Sequence, residues 1–171
     1  MSDKLKSLQD LAAAREQAAR ENRRLVFTNG CFDLLHVGHV RYLQAARQLG
    51  DALVVAVNGD ASVRTLKGPG RPINREADRA EVLAALESVD FVMIFQAERV
   101  SDLVREIRPH IYVKGGDYTI DSLNREEVAA LREVGADIRI LPLIPGKSTT
   151  AMIQKMESEK QESRKKEKEK N

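Results

Sequence analysis

The chain has 171 residues, 42% of them apolar, which is enough for one domain of ordinary size with a real core. Its 28 Lys and Arg against 26 Asp and Glu leave a formal charge of +2, and an aromatic share of 4% without Trp argues against a basic nucleic-acid platform of stacked rings. One cysteine, Cys31, permits no internal disulfide, and with only three histidines it makes no four-ligand zinc spacing, so a reducing, cytoplasmic setting is expected.

The amino-terminal stretch MSDKLKSLQDLAAAREQAAR is charged throughout and lacks the apolar core of an export signal. No run approaches the roughly 20 apolar residues of a membrane span. Leu5, Leu8, Leu11 and Ala12 recur at helical spacing, so residues 1–22 are expected to form a helix that packs on the domain. RLVFTN then reads as a short buried strand, VRYLQAARQLG as a helix stopped by Gly50, and ALVVAVNGD as a second strand whose LVVAV does not alternate. Strands covered on both faces have that character, and a strand, helix, strand unit of this length is parallel.

The alternation continues. READRAEVLAALESV sets Val82, Leu83, Leu86 and Val89 on one helical face before the strand FVMIF. RVSDLVREI leads past Pro109 to HIYVK, SLNREEVAALREVG leads to DIRILPL, and STTAMIQKM closes the domain as a helix that its first residue can cap. Five strands alternating with helices predict an α/β fold, a doubly wound five-stranded parallel sheet of Rossmann-like type, over residues 23–156. Its ligand is expected at the carboxyl ends of the strands, where the strand order reverses. Residues 157–171 carry too few apolar positions to bury a face and are expected to be a charged, disordered tail.

Residues with chemical capacity collect at those strand ends: Asn29 to His39, Asn58 to Gly70, KGGDYT and PGKSTT. In the first loop, Gly30 allows close backbone approach, and a helix starting near Val37 directs unpaired N–H groups and its positive dipole end above the strand. Phosphate suits that position. His36 and His39, separated by Val37 and Gly38, would add imidazole N–H groups, although His36 alone could simply cap the helix. The loop matches neither the G-x-G-x-x-G dinucleotide fingerprint nor the P-loop.

GCFDLLHVGH resembles the H-x-G-H signature of the nucleotidyltransferase superfamily, in its cytidylyltransferase-like branch. With VAVNGDASVRTLKGPGRPIN, DRAEVLAALESVDFV, VKGGDYT and STTAMI in that order, the resemblance extends to the D-glycero-β-D-manno-heptose 1-phosphate adenylyltransferases over about Arg24 to Met156. It implies transfer of AMP from ATP to a sugar 1-phosphate with release of pyrophosphate, in line and without a covalent intermediate. An ionised phosphate monoester needs no general base, so catalysis is positioning and charge neutralisation.

The resemblance further implies that His36, His39 and Lys67 are catalytic. Asn29, Gly30, Cys31, Phe32, Lys114, Gly115, Asp117, Ser148, Thr149 and Thr150 would bind the nucleotide, and Asp33, Lys67, Asn58 and Arg79 the acceptor. Cys31 fits a tight turn better than it fits a nucleophile. Lys67 is read as a loop residue whose flanking glycines let the loop close, Arg71 as a weaker candidate, and Arg79 as a residue that could instead pair with Glu76 or Asp78 on a helix surface. LIPGKSTT lacks the arginine of the RTxGISTT pattern of many cytidylyltransferases, which counts against CTP with glycerol 3-phosphate. Implied companions are Mg²⁺ with ATP, a separate heptose kinase and a possible homodimer, with no nucleic acid, membrane or dedicated protein metal site. Another acceptor such as FMN, or a catalytically silent nucleotide-binding module, are the competing readings.

Overall fold

The computed structural model describes residues 3–116, 119–142, 149–150, 152–153, 155–156 and 158–159. The chain begins with a bridge of Leu5 to Val92 and then a helix α1, Leu8–Arg20, opened by a capping box between Ser7 and Asp10. There follow β1 (Leu25–Gly30), α2 (Val37–Arg47), β2 (Ala52–Asn58), α3 (Asp60–Lys67) and α4 (Glu76–Ala84). The remaining elements are β3 (Phe91–Phe95), α5 (Ser101–Ile107), β4 (Ile111–Gly115), a 3₁₀ turn at Ile120–Ser122, α6 (Arg125–Glu133) and β5 (Asp137–Leu141). The described residues from 149 to 159 are helical.

All five strands are parallel, in the order β3-β2-β1-β4-β5. Side chains alternate across the sheet, which explains the unbroken apolar runs. Val26, Leu53, Val55 and Val57 join Tyr42, Leu43 and Leu83 on the face covered by α2 and α4, whereas Leu25, Phe27, Val54 and Ala56 join Leu11, Val104, Ala130 and Leu131 beneath α1, α5 and α6. Both faces are therefore dry, and the sheet is doubly wound as expected. The chain leaves β1 toward β2 and later returns on its other side as β4, so the switch point, and the crevice it creates, lies at the carboxyl ends of β1 and β4.

One element was absent from the sequence reading. Asp60–Lys67 is a helix, not a loop, so Lys67 is its last residue; the turn comes after it, at Gly68 and Gly70, both with positive φ. The eight residues are too few to show a period, and only Ser62 and Val63 are buried. Among the described residues no helix is long and apolar enough to cross a membrane.

Candidate active site

A cavity of about 680 Å³ opens at the carboxyl ends of β1 and β4. It is lined by Asn29, Gly30, Cys31, Phe32, Asp33, His36 and His39 from the first loop and helix, by Asn58 and Lys67 from the second strand and its helix, and by Lys114, Gly115, Thr149 and Thr150. Thirteen residues singled out from sequence thus share one space. Asp117 and Ser148 lie outside the described residues.

The first loop is tightly built. Phe32 adopts a left-handed backbone with φ 47°, and the Phe32 ring folds back so closely that a side chain at Gly30 would meet it at 3.0 Å. His36 caps α2 by accepting the Gly38 N–H on Nδ1 at 3.1 Å. That bond places the His36 proton on Nε2 in the neutral ring. His36 and His39 stack with ring centroids 4.0 Å apart, and Phe32 meets His39 edge-on at 5.4 Å. Capping and anion contact are compatible, because they use opposite nitrogens.

Burial, with His36 pressed against it, pushes His39 from 6.5 down to about 4, and its buried Nδ1 has no hydrogen-bond partner among the described residues. Between about pH 4 and 6.5 the unfolded chain therefore binds a proton that the folded chain refuses. This contribution to stability is complete above pH 6.5 and drains away as pH falls to about 4. A polyphosphate beside the ring favours the charged form, so ATP is expected to raise the midpoint. Proton NMR of the His39 ring will show titration near 4 in the free protein and a higher midpoint with ATP.

Asp33 is 3% exposed and is engaged by the segment that follows α3. Its Oδ1 accepts the backbone N–H groups of Ile73 and Asn74 at 2.8 and 3.0 Å, and Oδ2 lies 2.8 Å from Arg71 Nε in an ion pair. With those contacts Asp33 anchors residues 71–74 and holds Arg71 at the cavity wall, while itself lining the cavity.

Arg79 is the clearest correction. It is buried at 2% exposure, does not line the cavity, and pairs with neither Glu76 nor Asp78. Its guanidinium donates instead to three segments: to Asp60 Oδ1 at 2.8 Å, to the Asn74 carbonyl at 3.0 Å and to the Cys31 carbonyl at 2.5 Å. A planar, five-donor side chain suits three acceptors in different directions. Arg79 thereby ties the histidine loop, the start of α3 and the Arg71 segment together. Glu76 extends the knot, accepting the Asp60 N–H at 2.7 Å and a Gln96 amide proton at 3.1 Å.

The floor is built from polar groups. Tyr42 donates to the Val113 carbonyl at 3.1 Å and accepts from the Thr28 hydroxyl at 2.7 Å, fixing α2 across β1 and β4. Asn29 Oδ1 receives the Tyr112 hydroxyl at 2.8 Å and the Lys114 ammonium at 3.5 Å. Burial pushes the Lys114 ammonium below its usual range, with Glu127 opposing that shift. Asn58 donates to Ser62 at 2.9 Å, and Thr149 donates to the Leu34 carbonyl at 3.1 Å, so the start of the last helix rests on the first loop. Burial raises the Cys31 thiol, the reverse of what a nucleophile needs. Cys31→Ala is therefore expected to keep turnover within a few-fold in a steady-state assay.

Glu98 and Arg99, after β3, and Asn124, the N-cap of α6, with Glu127 on that helix, also line the cavity and are not singled out by the sequence. The strand-end argument reaches Glu98 and Arg99 if applied to the third strand as well. For Asn124 and Glu127 the sequence carried no signal beyond a helix start.

A match to the cytidylyltransferase-like family model spans residues 27–162 and includes every one of these loops. The chain belongs to the cytidylyltransferase-like family. Its relatives within reach of sequence include proteins named bifunctional protein HldE. That of Geotalea uraniireducens is 50% identical over 153 residues, 90% of this chain and 31% of the relative. That of Nitratiruptor sp. is 45% identical over 154 residues, 90% of this chain and 32% of the relative. The chain thus spans about a third of the length of the curated relatives it matches. Among solved structures, a lipopolysaccharide core biosynthesis protein from Thermoplasma volcanium matches with a TM-score of 0.59 at 28% identity, covering 71% of this chain and 97% of that one. Pantothenate synthetase from Thermus thermophilus shares the fold, with a TM-score of 0.52 at 16% identity, covering 82% of this chain and 62% of the other. The stretch from His36 to His39 lies within the matched residues and sits at the start of α2, beside the parallel sheet.

Proposed function

We propose that the chain is an adenylyltransferase that moves AMP from ATP to D-glycero-β-D-manno-heptose 1-phosphate, giving ADP-heptose and pyrophosphate. The observation that carries this reading is the stacked pair of His36 and His39 at the start of α2, in one cavity with Lys67, Arg71 and Lys114. Two anionic reactants need such a setting. The cations lower the cost of bringing a phosphate monoester up to a triphosphate, and imidazole N–H groups can follow charge as it builds on the α-phosphate and departs with pyrophosphate. The acceptor oxygen displaces pyrophosphate directly from the α-phosphorus. One P–O bond forms as the other breaks, and no protein group becomes linked to the nucleotide. Support for heptose rests on the similarity to HldE proteins and on the chain's match, 28% identical, to a lipopolysaccharide core biosynthesis protein.

Mg²⁺ is proposed as the companion of ATP. Among the described residues no three His, Cys, Asp or Glu side chains cluster to hold a metal, and Asp33 is already engaged, so phosphate oxygens and water would be its main ligands. The sugar 1-phosphate requires a phosphoryl transfer to a heptose beforehand, so a heptose kinase, on this polypeptide or another, is the proposed pathway partner. The work would be cytoplasmic, where ATP is supplied.

The test is a matrix of ATP, CTP, GTP and UTP against heptose 1-phosphate and glycerol 3-phosphate, with Mg²⁺ and pyrophosphatase, read as released phosphate. Release that requires ATP and heptose 1-phosphate together is expected. Release with CTP and glycerol 3-phosphate would keep the chemistry and overturn the substrates, whereas no release from any pair would favour a silent nucleotide-binding module.

A further inference from the structure

The cavity is bounded from two sides of the sheet. α2 packs on one face and brings the histidines; α6 packs on the other and brings an acid. Glu127, the third residue of α6, is only 6% exposed yet lines the cavity, and its backbone N–H is held by Asn124 Oδ1 at 3.3 Å. Among the described residues no hydrogen bond ends on its carboxylate; its charged neighbour is Lys114, which Asn29 holds at 3.5 Å. Lys114 stands near this carboxylate, but among the described residues nothing donates a hydrogen bond to it, so its acceptor capacity is left to the cavity.

A carboxylate with so little exposure that faces a ligand cavity calls for a donor on the ligand. Phosphate has none at neutral pH and would be repelled, and the cavity already offers it His36, His39, Lys67 and Arg71. We infer that Glu127 is a specificity-determining residue that accepts hydrogen bonds from hydroxyl groups in the neutral part of a reactant, either the ribose of the nucleotide or the ring of the acceptor sugar. The inference rests on the proposed reading of the cavity as a site for a nucleotide and a sugar phosphate. Its consequence is discrimination against deoxy analogues, because removing the hydroxyl leaves the carboxylate buried and unpaired.

Binding calorimetry tests this without requiring turnover. Kd is measured for ATP, 2′-deoxy-ATP and 3′-deoxy-ATP, and for heptose 1-phosphate and its singly deoxygenated analogues, on the unaltered chain, Glu127→Gln and Glu127→Ala. The unaltered chain is expected to lose about 10–100-fold in affinity when the recognised hydroxyl is removed, in one series and not the other, which identifies the source. Glu127→Ala should bring that ratio close to 1, and Glu127→Gln, of nearly the same shape and still an acceptor, should fall between and serve if the alanine variant fails to fold. Equal ratios in all three proteins, or no discrimination by the unaltered chain in either series, would overturn the role of Glu127. Failure of the adenylyltransferase reading would show separately, as absent product with binding intact.

Discussion

His39→Ala is expected to lower kcat by about 10²–10³-fold at a stability cost of only about 1 kcal/mol from lost ring contacts, with ATP affinity nearly unchanged, since a donor near developing charge matters most in the transition state. His36→Ala is expected to cost the same in turnover and also about 1 kcal/mol of stability, because Nδ1 of that ring caps α2. Asparagine separates the two tasks. His36→Asn can restore the cap, as asparagine is among the best N-cap residues, but cannot restore the imidazole N–H, so stability should return and activity should not. Steady-state kinetics beside thermal unfolding reads both effects. Loss of activity that tracks loss of stability across the three variants would reduce His36 to a helix cap.

The second large effect belongs to Arg79. Arg79→Leu strands the Asp60 carboxylate and releases the Cys31 and Asn74 carbonyls, so a loss of about 3–5 kcal/mol is expected, a fall in Tm of roughly 10 °C. Arg79→Lys keeps the charge but cannot reach three acceptors with a fork, and should recover only part of that loss. Asp60→Asn should cost less than either, since the amide oxygen can still accept from the guanidinium and leaves no charge behind. At temperatures where the lysine variant is folded, its KM for both reactants should rise, because the histidine loop and the Arg71 segment are no longer held to α3. Unchanged KM values with lowered Tm would make Arg79 a residue of stability alone.

Much of this arrangement was legible in the sequence because the signals are local. Continuous apolar runs such as LVVAV announced strands covered on both faces, and the spacing of His36, Gly38 and His39 beside a strand end announced a helix terminus at the cavity. The strand-end rule then gathered Asn29, Asn58, Lys114 and Thr149 into one cavity without knowledge of strand order.

What the sequence did not disclose depends on contacts between distant segments. Arg79 looks like a helix-surface residue because Glu76 and Asp78 stand beside it, and only the packing of α4 turns it toward Asp60, Asn74 and Cys31. Asp33 looks like a ligand residue because it lies in the signature loop, yet the backbone at Ile73 and Asn74 engages it across some forty positions. Glu127 was invisible for a related reason: an acid in the first turn of a helix is ordinary, and what marks it is burial beside Lys114. α3 was missed because eight residues with two buried positions give no period to detect.

Direct in-line transfer by a site whose histidines act through N–H groups is the central claim, and the stereochemistry at phosphorus tests it most directly. The protein is supplied with one diastereomer of adenosine 5′-O-(1-thiotriphosphate), with the phosphate acceptor, and the configuration of the product is determined. A single displacement inverts the α-phosphorus, and inversion is the predicted result. Retention would mean two displacements and a nucleotide carried on the protein, making His39 or Cys31 a nucleophile and contradicting the account.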